Sequence, residues 1–230
     1  MNWHLVFDVL GAASAFTMTV LVYRWRIERS NQEAVAAFST GYAVALVLGA
    51  ALGGYGLGTL NLMLSGEPGI GRSIVGALAG TIAGVEIYKW LRGIVSSTGL
   101  IFVAGFSTTV VIGRIGCSLS GLEDQTYGIV TNLPWAWDFG DGLARHPVAL
   151  YESLSMLAFL IFGLISLAKR TPVFMKNGFY LLVGFYGFQR FVWEFFKPYG
   201  TIVGPFNIFH LVCFALMAYA FTMSMRNRAY

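Results

Sequence analysis

Seven long apolar runs govern what this chain of 230 residues can become. They cover roughly residues 5–23, 36–64, 70–91, 98–118, 147–168, 177–196 and 204–224. Each reaches about the 20 residues that a helix needs to cross a bilayer. Charged residues make up 11% of the chain, against about 25% in a soluble domain. The pattern therefore predicts an all-α, polytopic integral membrane protein forming a single transmembrane domain over residues 1–230. The second run is over-long and carries Gly49, Gly53, Gly54, Gly56 and Gly58, which predicts a kink or break. In the third run Gly76, Gly80 and Gly84 are spaced by four, a small-residue face that lets helices approach closely.

The distribution of charge sets an expected orientation, because basic residues accumulate on the cytosolic side. If the runs alternate, Arg24, Arg26, Arg29, Lys89, Arg92, Lys169, Arg170, Lys176, Arg226 and Arg228 all fall on one side. They are ten of the fifteen basic residues. The amino terminus is then external and the carboxyl terminus cytosolic. The first run lacks a basic leader and leads straight into Arg24, so no cleavable signal peptide is expected. The longest connection, 119–146, is external; Trp135 and Trp137 point to a segment lying along the interface. The two cysteines, Cys117 and Cys213, fit neither a disulfide framework nor metal-ligand spacing.

Against this apolar background the ionisable residues within the runs stand out. Arg114 ends the fourth run and Arg190 sits late in the sixth. A guanidinium near membrane depth is expensive, by roughly 2.5–3.5 kcal/mol at a helix centre, and is rarely left there without a partner or a function. Its planar fork suits phosphate oxygens. With alternating spans, Arg145, His146, Tyr151 and Glu152 at the start of the fifth run reach the same outer level. So do Arg190 with Glu194, four residues apart, and His210, about two turns into the last run. Each has a plainer reading. Arg190 with Glu194 makes an intrahelical ion pair, Glu152 balances Arg114, and His146 caps its helix. Arg72 is either a headgroup anchor or a ligand contact. Glu86 with Lys89 reads as a snorkelling surface pair at the cytosolic end. Cys117 reads as a small packing residue, since an apolar setting disfavours the thiolate. The plainer readings leave the shared depth of the outer group unexplained.

Three segments carry a family resemblance. Gly113-Arg114-Ile115-Gly116-Cys117-Ser118-Leu119-Ser120-Gly121 resembles the signature of prolipoprotein diacylglyceryl transferases, a Gly-Arg-x-Gly-Asn-x-x-Asn-Gly pattern. His146-Pro147-Val148-Ala149-Leu150-Tyr151-Glu152 is similar to that family's His-Pro-x-x-Leu-Tyr-Glu segment. Arg190-Phe191-Val192-Trp193-Glu194-Phe195-Phe196-Lys197 resembles its Arg-x-x-x-Glu-Phe-Phe-Arg segment. The match covers about 69–198, in the family's order. Cys117 and Ser120 replace asparagines, Leu122 stands at an acidic position, and Val75-Gly76-Ala77 aligns with the family's His-Gly-Gly. The chain thus reads as a divergent branch.

The resemblance implies transfer of the diacylglyceryl group of phosphatidylglycerol to an acceptor, in the family the lipobox cysteine of a prolipoprotein signal peptide, with glycerol phosphate leaving. It implies catalytic roles for Arg114, Arg190, His146 and Glu152, with His146 or Glu152 accepting the proton. Arg145, Tyr151, Glu194, Gly113, Gly116, Gly121 and His210 are expected to bind substrate. The expected location is the bacterial inner membrane, multi-pass, with the site toward the outer leaflet. No metal, cofactor or nucleic-acid partner is expected. Two alternatives stand beside this reading: the same phosphatidylglycerol (or another anionic phospholipid) with a different acceptor, or a non-catalytic anionic-lipid binder or transporter.

Overall fold

Ser39 and Ser73 show how this sequence starts its helices. The Ser39 hydroxyl accepts a hydrogen bond from the Tyr42 amide at 3.2 Å, and Ser73 accepts from the Gly76 amide at 3.1 Å. Both satisfy an amide that has no partner within the helix. The structure, a computed structural model, describes residues 3–28, 37–124 and 126–228. Arg29 lies outside the described residues. The helices are α1 (Trp3–Val22, continued by a π-helical turn, Tyr23–Ile27), α2 (Thr40–Leu64), α3 (Ile74–Arg92), α4 (Val103–Leu119), α5 (Val148–Ala168), α6 (Pro172–Glu194) and α7 (Ile208–Arg228). Six helices among the described residues are long and apolar enough to cross a membrane. The exception, α6, is 23 residues long but buries Asn177, Gln189, Arg190 and Glu194. The chain is an all-α polytopic membrane protein.

The glycines of α2 and α3 build a tight hairpin. Gly49 and Gly53 lie backbone to backbone against Gly76 and Gly80, and a Cβ on Gly84 would come within 2.6 Å of the Ala45 carbonyl. The second run does not break: α2 is one continuous helix from Thr40 to Leu64. Its glycines serve close approach, because α3 fills the space they leave and the helical hydrogen bonds persist.

The remaining helices form a second body, in which α1 packs along α4, α5 lies between α4 and α6, and α6 pairs with α7. The α2–α3 hairpin meets this body chiefly at α7. A cleft therefore opens between the hairpin and α1 with α4, lined from both sides by residues such as Ala50, Ile74, Ala77 and Thr109. Alternating helix directions put the start of α1, α3, α5 and α7 with the end of α2, α4 and α6, the end that carries Arg114. The other end carries Lys89.

Residues 119–146 fold into a 3-10 turn (Gly121–Asp124) and a two-stranded antiparallel hairpin, β1 (Trp137–Asp138) with β2 (Ala144–Arg145). This small sheet is an addition to the all-helical expectation. Trp137 on its first strand and Trp135 in the turn before it are exposed.

A charge cluster opening onto a lipid-sized cleft

Glu152 lies on the first turns of α5 with no solvent exposure. A carboxylate in that position needs cations, and three reach it from separate elements. Arg114 on α4 brings Nε to 2.7 Å from Oε2, close enough to pair but not aligned as a hydrogen bond. Arg190 on α6 donates from Nη1 to Oε1. Lys197, in the segment after α6, donates from Nζ to the same oxygen at 2.8 Å. Arg190 also pairs with Glu194 one turn on, Nη2 to Oε2 at 2.9 Å. Glu194 in turn accepts from the Asn207 side-chain amide at 3.0 Å. Asn207 Oδ1 caps the start of α7 by accepting from the amides of Phe209 and His210 at 3.0 and 3.1 Å. One polar network thus ties α4, α5, α6 and α7 together. It holds three cations against two carboxylates, one positive charge in excess.

Lys197 lies beyond the helix end, and its ammonium is pushed down to about 8 by burial and by the neighbouring Arg190. It is therefore still largely protonated at neutral pH.

Arg114 and Arg190 both line a cavity of about 500 Å³ in the cleft, along with Gly113, Cys117, Asn61 and Tyr199. Arg72 and Asp8 line it too and pair across it at 3.4 Å, linking α1 to the segment before α3. The Arg114 guanidinium donates to Cys117 Sγ at 3.8 Å. Gly113 is a wall of this cavity with open space where a Cβ would stand. Gly116 instead admits Phe7 of α1, and Gly121 adopts a left-handed φ of 68° just past α4.

Other expected site residues are placed elsewhere. His146 Nδ1 lies 3.3 Å from the Tyr151 hydroxyl, which accepts from Trp135 Nε1 at 2.8 Å. With Trp193 and Phe196 these form an aromatic cluster that does not line the cavity. Arg145 is held in the β-hairpin loop by Asp141, at 2.6 Å from Nη2, and stacks on Tyr127. That hydrogen bond keeps the Asp141 carboxyl below the usual carboxylate range.

His210 sits in the first turn of α7, not two turns in, because residues before Ile208 form a tight Val203–Phe206 turn. Its ring is buried among Phe191, Phe195 and Phe206. Glu86 and Lys89 do not form the expected snorkelling surface pair. Lys89 is only 3% exposed, so the pair is built into the protein and does not snorkel.

Sequence reasoning left several residues aside. Lys197 completes the cation set. Tyr186 and Gln189 are buried beside Arg190 with side-chain atoms that find no protein hydrogen-bond partner among the described residues. Their signal was available: α6 is a polar stripe in an apolar helix, and Tyr186, Gln189, Arg190 and Glu194 share that stripe.

The fold and cluster define a class: a polytopic membrane protein whose buried ionic network faces one cleft. The family model of prolipoprotein diacylglyceryl transferase matches residues 3–226, and the chain belongs to that family. Among similar proteins, the phosphatidylglycerol–prolipoprotein diacylglyceryl transferase of Geobacter sulfurreducens is 28% identical over 97% of this chain and 90% of its own length. The protein of that name from Campylobacter jejuni is 30% identical over 47% of this chain and 42% of its own. The one from Mannheimia succiniciproducens is 32% identical over 55% and 47%. No solved structure matches.

Proposed function

We propose that this chain is a membrane transferase that moves the diacylglyceryl group of phosphatidylglycerol to the lipobox cysteine of a prolipoprotein. One observation carries the reading. Two arginines from different helices, bridged by one buried carboxylate, line the same cleft with a positive charge in excess. A phosphodiester brings one negative charge, which matches that excess. A cleft between helices also admits a substrate that never leaves the bilayer.

In the reaction the acceptor sulfur forms a bond to the terminal glyceryl carbon, and the bond from that carbon to the phosphate oxygen breaks. Glycerol phosphate departs with the electron pair, and the thiol proton passes to a base. Arg114 and Arg190 stabilise the charge that grows on the leaving phosphate, in a site where little water competes. Glu152 already carries three cations, which makes it a poor base and a good positioning residue: it holds both guanidiniums against their mutual repulsion. The proposed setting is the bacterial inner membrane, amino terminus external, with the Arg114 end in the outer leaflet; the basic residues at the Lys89 end support it.

The test uses purified protein, phosphatidylglycerol labelled in either its glyceryl headgroup or its diacylglyceryl part, and a lipobox peptide. Release of labelled glycerol phosphate with labelling of the peptide is expected. Release without peptide labelling points to another acceptor, for which the substitutions Cys117 and Ser120 within the signature are the specific motive. Binding without release would make the chain a lipid binder.

A further inference from the structure

The cleft does not end at the arginines. A second chamber of about 390 Å³ adjoins the first, and the two share Ala50, Ile74, Ala77 and Thr109 as walls. Its middle is apolar, with Leu78, Ile82 and Phe106 among its walls. Its far end is polar. There Lys89 Nζ donates to Glu86 Oε1 at 3.0 Å, and the Tyr219 hydroxyl donates to the same oxygen at 2.9 Å. The Tyr42 and Thr98 hydroxyls pair beside them at 2.9 Å. Nothing in the transfer reaction uses this group.

We propose that the Glu86–Lys89–Tyr219 group is the floor of an acyl-chain chamber and sets the length of chain the donor lipid can carry. The proposal rests on phosphatidylglycerol being the donor. Three features support it. The chamber adjoins the cavity that holds the arginines and shares four wall residues with it, so it lies where the tail of a headgroup held there would run. From Ala77 to Lys89 the α3 axis advances on the order of 18 Å. A single leaflet's chains span about half of a hydrocarbon core of roughly 30 Å, so the chamber is one leaflet-length chain deep. Finally, the floor is a hydrogen-bonded pair, Glu86 taking both Lys89 and Tyr219. A longer chain would have to press its methyl end into a hydrogen-bonded ion pair, displacing partners that apolar atoms cannot replace.

The test measures kcat/KM of the full-length protein in detergent micelles for dimyristoyl, dipalmitoyl, distearoyl and diarachidoyl phosphatidylglycerol. The wild-type protein is expected to favour one intermediate length and to discriminate against the longest by about tenfold or more, as hydrophobic pockets do for excess methylenes. Glu86→Ala combined with Lys89→Ala removes the floor and should relax the penalty on the longest chain to less than about threefold. Ile82→Trp raises a barrier midway and should shift the preference to dimyristoyl lipid, whether or not the double variant folds. Profiles that coincide for the wild type and Ile82→Trp, or a double variant that folds yet keeps the wild-type cutoff, overturn the floor. Absence of turnover, and of thermal stabilisation by all four lipids, would instead overturn the donor itself.

Discussion

The two ends of the cleft both place ion pairs at membrane depth, but they are wired differently. At the Arg114 end one carboxylate, Glu152, gathers cations from α4, α6 and the segment after α6, and a positive charge is left over. At the Lys89 end a lysine and a glutamate three residues apart on α3 neutralise each other. A neutral pair acts only as a dipole at its edge. An uncompensated charge still attracts an anion by about 4 kcal/mol at 4 Å with an effective dielectric of 20. The same chemistry thus makes a recruiting site at one end and a plug at the other, and the difference lies in how many helices contribute.

The largest effect should come from removing the shared carboxylate. Glu152→Ala leaves Arg114, Arg190 and Lys197 buried together without their common partner, and breaking a buried network of this kind costs about 3–5 kcal/mol. Thermal unfolding in detergent should show a large drop for Glu152→Ala. Glu86→Ala should give a smaller one, because it strands one cation where Glu152→Ala strands three. Equal losses for the two variants would break the comparison.

Next in size is the geometry of the guanidinium fork. Arg114→Lys and Arg190→Lys keep the charge but lose bidentate contact, so glycerol phosphate release should fall by roughly 100-fold or more while the protein stays folded. Near-normal turnover by Arg114→Lys would remove the phosphate clamp from the account.

A third prediction uses pH to erase the charge difference between the ends. Lys197 titrates at about 8, lowered from an ordinary 10.5 by burial and by Arg190. As pH rises through that value the cluster loses its excess charge. Affinity for phosphatidylglycerol should therefore weaken above pH 8, by up to about tenfold per pH unit while only the bound form stays protonated. Stability of the lipid-free protein should move the other way. Between about 8 and 10.5 the unfolded chain binds the proton that the folded chain has released, so folding gains as pH rises. Lys197→Met should flatten both responses; an unchanged pH profile of binding in that variant would assign the titration elsewhere.

How far the sequence revealed these two ends follows from what each signal depends on. Helix identities came from hydropathy alone, and the α2–α3 approach from glycines spaced by four, because both are local patterns. The convergence of Arg114, Glu152 and Arg190 was legible as shared depth on alternating spans. Depth does not fix which way a side chain turns around its helix. For that reason His146 and Tyr151, at the expected level, face an aromatic cluster outside the cleft. The burial of Lys89 is not written in its position at a helix end, because its partner Glu86 is held by Tyr219 of α7, far away in sequence. Lys197 closes the Arg190–Lys197 segment that carries the family resemblance. Its role depends on the chain folding back past Glu194, which no periodicity encodes.

The smallest expected effect concerns Cys117, which stands on the cavity wall beside the strongest charge of the recruiting end. Its Sγ accepts a hydrogen bond from Arg114 at 3.8 Å, a contact that a serine hydroxyl can reproduce. Cys117→Ser should change kcat by no more than roughly threefold, or about 0.7 kcal/mol, and mass spectrometry during turnover should find no diacylglyceryl group on Cys117. Cys117→Ala, which removes the acceptor but keeps the space, should cost slightly more than serine by loosening Arg114. Such an ordering makes the thiol a support for the guanidinium. Complete loss in both variants with the fold intact, together with a labelled Cys117 in the wild type, would reverse the assignment. The recruiting end would then work through a covalent intermediate on its own wall, and its difference from the Lys89 end would be one of nucleophilic chemistry more than of charge.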